Sequence, residues 1–278
     1  QPNNPHSLNH NTIYCMMEDN TGCLWIGTFG GGINRINPLK QQFSHFRGVS
    51  NSPNSLSSMD VYSILEDRQG MLWIGTYDSG LIRYELATGK FKSFKYDSLN
   101  PQSLSSNQVM ALHEDKDGIL WIGTDLGGIN CFNRDMETFT HYTHIAGTQK
   151  GPGSNRVYCF CEDGDNNLWI GTFDGGLNLY QRKTREFKSF KNDPQNLKSI
   201  SSNGINTICA DRKNKSLLWI GTYNNGLDLF NRHTGTFTHY PHILGNSNSI
   251  SENAVQSIYI SPHQPGIVWV GTLGGGFN

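Results

Sequence analysis

The chain has 278 residues, with 22 basic and 23 acidic side chains and a formal net charge of -1. That balance offers no basic face for nucleic acid, and no apolar run approaches the roughly 20 residues of a membrane-spanning helix. With 31 glycines and 14 Phe, 11 Tyr and 6 Trp, the composition suits many short strands joined by tight turns, not helices. The N-terminal Gln1-Pro2-Asn3-Asn4-Pro5 carries no basic-then-apolar export signal. A trimmed exported chain looks the same, so the compartment stays open.

Along the chain, the first strand ends at Glu18-Asp19 and leads into Leu24-Trp25-Ile26-Gly27-Thr28. This second stretch then recurs. Trp25, Trp73, Trp121, Trp169, Trp219 and Trp269 are spaced by 48, 48, 48, 50 and 50 residues, and each is followed by Ile or Val and Gly-Thr. A fixed period near 50 marks a repeat architecture.

The second repeat serves as a template. Asn54–Ser58 is a polar lead-in, Val61–Glu66 a strand, and Asp67-Arg68-Gln69-Gly70 a hairpin turn. Leu72–Thr76, Leu81–Tyr84 and Phe91–Phe94 are three further strands, separated by turns at Tyr77–Gly80 and Ala87–Lys90. Four antiparallel strands per repeat form the blade of a β-propeller. The expected fold is therefore all-β, a single propeller domain over 1–278. Five blades are complete (approximately 6–50, 51–98, 99–146, 147–196 and 197–246) and one is partial (247–278). Pro2 and Pro5 make the N-terminal residues a poor closing strand, so the expectation is a fragment of a longer chain, cut within a blade.

The first strand is apolar on both faces, Val61 and Ser63 on one and Tyr62 and Ile64 on the other, so both faces should be covered. The glycine after each Trp-Ile pair should let the neighbouring blade approach. Cys15, Ser63, Ala111, Cys159, Thr207 and Ser257 share one repeat position, where cysteine acts as a small hydrophobe. Buried free thiols are expected, with a Cys161–Cys209 bridge as the rival, and no CxxC pair points to zinc. The two 50-residue spacings come from longer first hairpins at Arg212–Ser216 and Pro262–Gly266. In the fourth repeat, Gly147–Gly153 replaces the Ser-Leu-Ser lead-in and is expected to be a mobile or remodelled loop.

Ser-Leu-Ser-Ser-Asn-x-Val, Glu-Asp-x-x-Gly-x-Leu-Trp-Ile-Gly-Thr and Gly-Gly-Ile-Asn together resemble the two-component regulator propeller repeat. Ser103–Asn130 follows the pattern throughout; Met59 and Ala210 are local departures. The resemblance implies the periplasmic sensor region of a hybrid two-component system sensor histidine kinase. In that family two seven-bladed propellers precede a β-sandwich, a membrane helix and cytoplasmic kinase, receiver and DNA-binding domains, which makes this segment a fragment of a seven-bladed ring, the start of the first propeller. It implies an oligosaccharide ligand from glycan breakdown, a homodimer, and partnership with the remaining blades and signalling domains. This segment itself would contact neither nucleic acid nor membrane.

The turns after the second strands and the lead-ins share one end of the blades. The candidate ligand-binding residues there are Phe29, Tyr77, Asp78, Asp125, Phe173, Asp174, Tyr223 and Asn224. Aromatics beside carboxylates and amides on a rim suit sugar stacking and hydroxyl recognition. The competing readings are shielding of blade edges with Asp and Asn as turn formers, and a protein interface. His45, His141 and His239 share one outer-strand position, which argues for a structural residue, and His141-x-x-His144 and His239-x-x-His242 suit zinc only on a helix or a suitable turn. The recurring Glu-Asp pairs belong to hairpin turns and not to a hydrolytic dyad. Gly30-Gly31-Gly32 is a recurring turn, and no nucleophile elbow, phosphate loop or zinc-protease helix occurs. No catalytic residue, metal or cofactor is assigned. The expected function is a non-enzymatic, ligand-sensing module. The alternatives are an interaction or dimerisation scaffold of the same receptor and, third, a propeller lyase or glycosidase.

Overall fold

A computed structural model of the chain describes residues 7–40, 42–48, 55–261, 264 and 266–278. The expectations placed on Gln1–Pro5, on Asn54, on the boundary between blades 1 and 2 and on most of the Pro262–Gly266 hairpin lie outside those residues. The fold is an all-β propeller of six blades, and the described residues contain no helix. In blade 2, Val61–Glu66, Met71–Thr76, Leu81–Glu85 and Lys90–Phe94 pair antiparallel in chain order. Blades 1, 3, 4 and 5 repeat this order. The sixth has three strands, Val255–Ile260, Val268–Thr272 and Gly276–Phe277. The chain divides into two compact units, residues 1–125 with 130–141 and residues 126–129 with 142–278. Each has its own apolar clusters.

The repeated Glu-Asp is more than a turn. In blade 2 the Asp67 Oδ1 accepts the amides of Gln69 and Met71 at 2.9 Å each, closing the hairpin. Its Oδ2 accepts the Trp73 indole N–H at 2.7 Å. The same indole bond joins Asp19 to Trp25, Asp115 to Trp121, Asp163 to Trp169 and, at 3.2 Å, Asp211 to Trp219. A buried indole donor without an acceptor costs about 1–3 kcal/mol, which explains why turn and tryptophan recur together. Arginines from the following blade reach the same carboxylates: Arg134 pairs with Asp67 at 2.6 Å and Arg232 with Asp163 at 2.7 Å.

The Gly after Trp-Ile is a contact point between blades. A Cβ on Gly75 would lie 2.7 Å from Val109 Cγ1 of the next blade and 2.2 Å from Ser63 Oγ, and Gly27, Gly171 and Gly221 meet Val61, Ile205 and Val255 in the same way. The small-residue slot of Cys15, Ser63 and Cys159 exists because these side chains lie directly over the glycine. Strict alternation in the first strand does not hold at its start. A bulge pairs Val61 with Thr76 but Ser63 with Gly75, and each of the six blades has this register shift. The bulge re-aims the residue left unpaired at it, Tyr14 in blade 1 and Tyr62 in blade 2. All six cysteines are free, Cys161 and Cys209 included, and burial pushes the Cys15 and Cys161 thiols up to about 12.

Candidate functional site

The residue after each Gly-Thr is set by the backbone. Its amide donates to the carbonyl just ahead of the first strand of the same blade: Phe29 to Thr12, Tyr77 to Asp60, Asp125 to Gln108, Phe173 to Arg156, Tyr223 to Gly204 and Leu273 to Ala254, at 2.8–3.1 Å. Glycine at the start of the third strand donates to the next lead-in, as Gly80 does to Asn107 O and Gly176 to Asn203 O. The Asn side chain at that lead-in position accepts a loop amide, as Asn107 does from Tyr96 and Asn203 from Asn192. At the departure, Met59 offers its sulfur to the Gly48 amide instead. This lattice of main-chain bonds holds the rim side chains in place.

In the first unit the rim carries a continuous run of rings. Phe29 lies edge-on to His10 and to Tyr14, with centroids 6.1 and 6.0 Å apart. Tyr14 stacks on Tyr62 at 4.2 Å, and Tyr62 on Tyr77 at 5.4 Å. Phe29, Tyr14 and Tyr77 are 48%, 41% and 41% exposed, so each keeps part of its ring surface open at the rim. Burial, then the hydrogen bond with Tyr14, holds the Tyr62 phenol above its ordinary range, leaving it a neutral donor. Asp78 is exposed beside Tyr77, whereas Asp125 is buried.

In the second unit Phe173 meets Tyr158 at 5.5 Å and Tyr223 at 5.3 Å, with the Arg156 guanidinium 4.1 Å above its ring. Asp174 and Asn224 are exposed, and Asn224 Oδ1 accepts the Ser202 hydroxyl at 3.1 Å. The structure thus brings Phe29 and Tyr77 together through Tyr14 and Tyr62, and sets Phe173 directly against Tyr223. Tyr14, Tyr62, Tyr158 and Arg156 were not among the residues expected on this rim. Their signal was present, since Tyr14, Tyr62 and Tyr158 share one repeat position, but it reads equally as packing.

The outer-strand histidines are fasteners. His45, His141 and His239 donate through Nε2 to the carbonyls of Ser7, Ser103 and Leu197 at 2.8–3.1 Å, tying the outer strand to the lead-in loop. Among the described residues no group of three or more His, Cys, Asp or Glu could hold a metal ion, and no helix is long and apolar enough to cross a membrane.

Residues 7–30, 55–78, 103–125 and 151–174 match the two-component regulator propeller family. Over these four segments the chain is similar to two-component regulator propellers. The chain is also similar to the extracellular domain of a putative hybrid two-component system from B. thetaiotaomicron, at 29% identity and a TM-score of 0.78. That match covers 98% of this chain and 33% of the other, so the propeller spans about a third of that relative's length. The extracellular domain of a putative one-component system from B. thetaiotaomicron is 22% identical, with a TM-score of 0.58 over 96% of this chain and 40% of that one. A catalytically inactive virginiamycin B lyase from Staphylococcus aureus is 15% identical, with a TM-score of 0.67 over 96% and 83%. These last two share the fold alone. No curated protein sequence matches the chain.

Proposed function

We propose that this regulator propeller is the ligand-sensing, periplasmic part of a hybrid two-component regulator, that it answers to a glycan-derived oligosaccharide, and that it performs no catalysis. The observation that carries the reading is the ring run Phe29–Tyr14–Tyr62–Tyr77, in which Phe29, Tyr14 and Tyr77 are partly exposed and which ends beside Asp78. Flat aromatic faces cover the C–H faces of sugar rings, and carboxylates and phenols exchange hydrogen bonds with hydroxyls. Its likeness to an extracellular domain of a hybrid system supports the compartment and the signalling role. The remaining blades and signalling domains of the receptor, working as a homodimer, would carry the signal onward.

The test is calorimetric titration of the 278-residue chain with a panel of neutral oligosaccharides, repeated with Tyr77→Ala and Tyr14→Ala. Binding that weakens about tenfold in each variant, equal to about 1.4 kcal/mol, is the expected result. Binding that both variants leave unchanged overturns the rim as the site.

A second reading, a dimerisation scaffold, is favoured by the exposed apolar side chains of the sixth blade, with Tyr259 at 56%, Trp269 at 39% and Phe277 at 77%. Apolar surface of this kind marks interaction sites. Concentration-dependent dimerisation in sedimentation equilibrium, lost in Trp269→Ser with Phe277→Ser, is the outcome that favours it over sugar sensing.

A further inference from the structure

Blade 4 departs from its neighbours where its lead-in crosses its own outer strand. In blades 3, 5 and 6 the lead-in is Ser103-Leu104-Ser105, Ser199-Ile200-Ser201 and Ser249-Ile250-Ser251. The first serine clips the loop shut: its Oγ accepts the amide of Asp97, Asp193 or Ile243 at 3.0 Å and donates back to the same residue's carbonyl. Blade 4 has Gly151-Pro152-Gly153 instead. The glycines are there because the backbone is drawn in. A Cβ on Gly151 would fall 1.8 Å from Thr143 O, and one on Gly153 would fall 2.4 Å from Gly175 O. Here Thr148 Oγ1 donates to the Ile145 carbonyl at 3.0 Å in place of the serine, but no serine Oγ takes the Ile145 amide, which stands at the position of Asp97 and has no acceptor among the described residues.

The consequence is a groove of about 300 Å³ between residues 144–153 and the outer strand Glu186–Phe190. Phe187 and Pro152 are its buried floor. The loop is held in place by Phe187 N–H to Gln149 O at 2.7 Å, His144 N–H to Asn155 Oδ1 at 2.6 Å and His144 Nδ1–H to Pro152 O at 2.9 Å. Lys188 and Lys191 stand at the mouth. Neither ammonium has an acidic partner among the described residues; Lys188 only lies over the Phe190 ring, 5.0 Å from its centroid.

A larger cleft, about 490 Å³ beside Trp73, Arg83 and Lys92, does not share this property. There Glu137 takes both Arg83 and Lys92, and Arg134 is held by Asp67 and Glu114. Its charges cancel in place, so it offers no net attraction to an anion.

The geometry points to the blade 4 groove as a binding site for a small ligand bearing an oxyanion (carboxylate, sulfate or phosphate), no larger than a monosaccharide. The volume sits at the small end of ligand pockets. Two unpaired ammonium groups over a floor that excludes water on one side attract an anion more strongly than scattered surface lysines do. The site is separate from the aromatic rim and does not depend on the oligosaccharide reading.

The experiment is an NMR and calorimetric titration of the chain with inorganic sulfate, inorganic phosphate, glucuronate and, as a neutral control, glucose. It is run on the parent and on Lys188→Ala/Lys191→Ala, with Lys183→Ala outside the groove as a control. Shifts at the amides of residues 144–151 with at least one of the three anions, a loss of affinity of about tenfold in the double variant and no change in Lys183→Ala are expected. Glucuronate without the inorganic ions would assign a carboxylated sugar; the inorganic ions alone would assign a compact oxyanion. No saturable shift with any anion, an equal response to glucose, or an affinity indifferent to both lysines would overturn the site. Both variants change only exposed side chains, and an unchanged melting temperature verifies that each is folded.

Discussion

Phe91-Lys92-Ser93-Phe94-Lys95 on the outer edge of blade 2 and Phe187-Lys188-Ser189-Phe190-Lys191 on that of blade 4 are the same five residues in the same register. Each places its first lysine over its second phenylalanine, at 5.4 and 5.0 Å. Across the sheet, however, Lys92 faces Arg83 while Lys188 faces Leu179. The turn of the following blade supplies Glu137 to Lys92 but has Gly235 at the corresponding left-handed position, with φ of 52° and 69°. One lysine is consumed by structure and the other is left to act. In a repeat fold, what a side chain can do depends on what the next repeat places opposite it.

The comparison is sharpened first by what the two blades share. Asp67→Ala and Asp163→Ala each leave an indole, an arginine and two hairpin amides without their acceptor. Each should cost more than about 3 kcal/mol, read as a drop in melting temperature of about 10 °C. Asp211→Ala should cost about half as much, because no arginine pairs with Asp211 among the described residues and its indole bond is 3.2 Å. Equal losses at all three sites would show that the arginines add nothing.

Exchanging the partners comes next. Gly235→Glu should neutralise Lys188 and weaken anion binding in the blade 4 groove several-fold, while Glu137→Gly should free Arg83 and Lys92 and create anion affinity in the blade 2 cleft. Titration with sulfate reads both; affinities that do not move would mean that the charges are not what separates the two blades.

A smaller effect concerns acid. Burial pushes the Asp19 carboxyl up, but hydrogen bonds from Thr21, Trp25 and Cys23 outweigh it and hold it at about 2. Asp67 is lowered likewise, against its burial, by Trp73 and Arg134. A folded value below the unfolded one contributes stability above about pH 4 that is lost as pH falls towards 2. Thermal melts should therefore be flat above pH 5 and fall below pH 4, and in Asp19→Asn the fall should be shallower.

The smallest effect is expected at Asp228, which is buried where Asn34, Asn130, Asn178 and Asn278 stand in other blades. Its carboxyl is raised by burial in spite of bonds from Ser201 and His239. A folded value above the unfolded one weakens the fold as pH rises. Asp228→Asn should thus leave stability at pH 7 unchanged or raise it by less than about 1 kcal/mol, with the difference from the parent shrinking at pH 4 in matched denaturant curves.

The sequence by itself determined the blades. Five copies of Leu-Trp-Ile-Gly-Thr and one of Val-Trp-Val-Gly-Thr at a steady period, with Asp-Gly turns between β-branched and aromatic runs, admit one supersecondary unit, and strand pairing within it is local. It also placed the rim residues, because the position after Gly-Thr recurs with the repeat. Tertiary structure alone decided which of them meet. The bulge that re-aims Tyr14 and Tyr62 towards Phe29 and Tyr77 adds no residue to the repeat and alters no spacing, and it becomes visible only in the register. The blade 4 groove was legible only as an odd loop. Its opening depends on Gly151 and Gly153 lying against the backbones of Thr143 and Gly175, and its charge depends on an acid absent from the neighbouring blade. Both are contacts between segments distant in the chain, which no local pattern encodes.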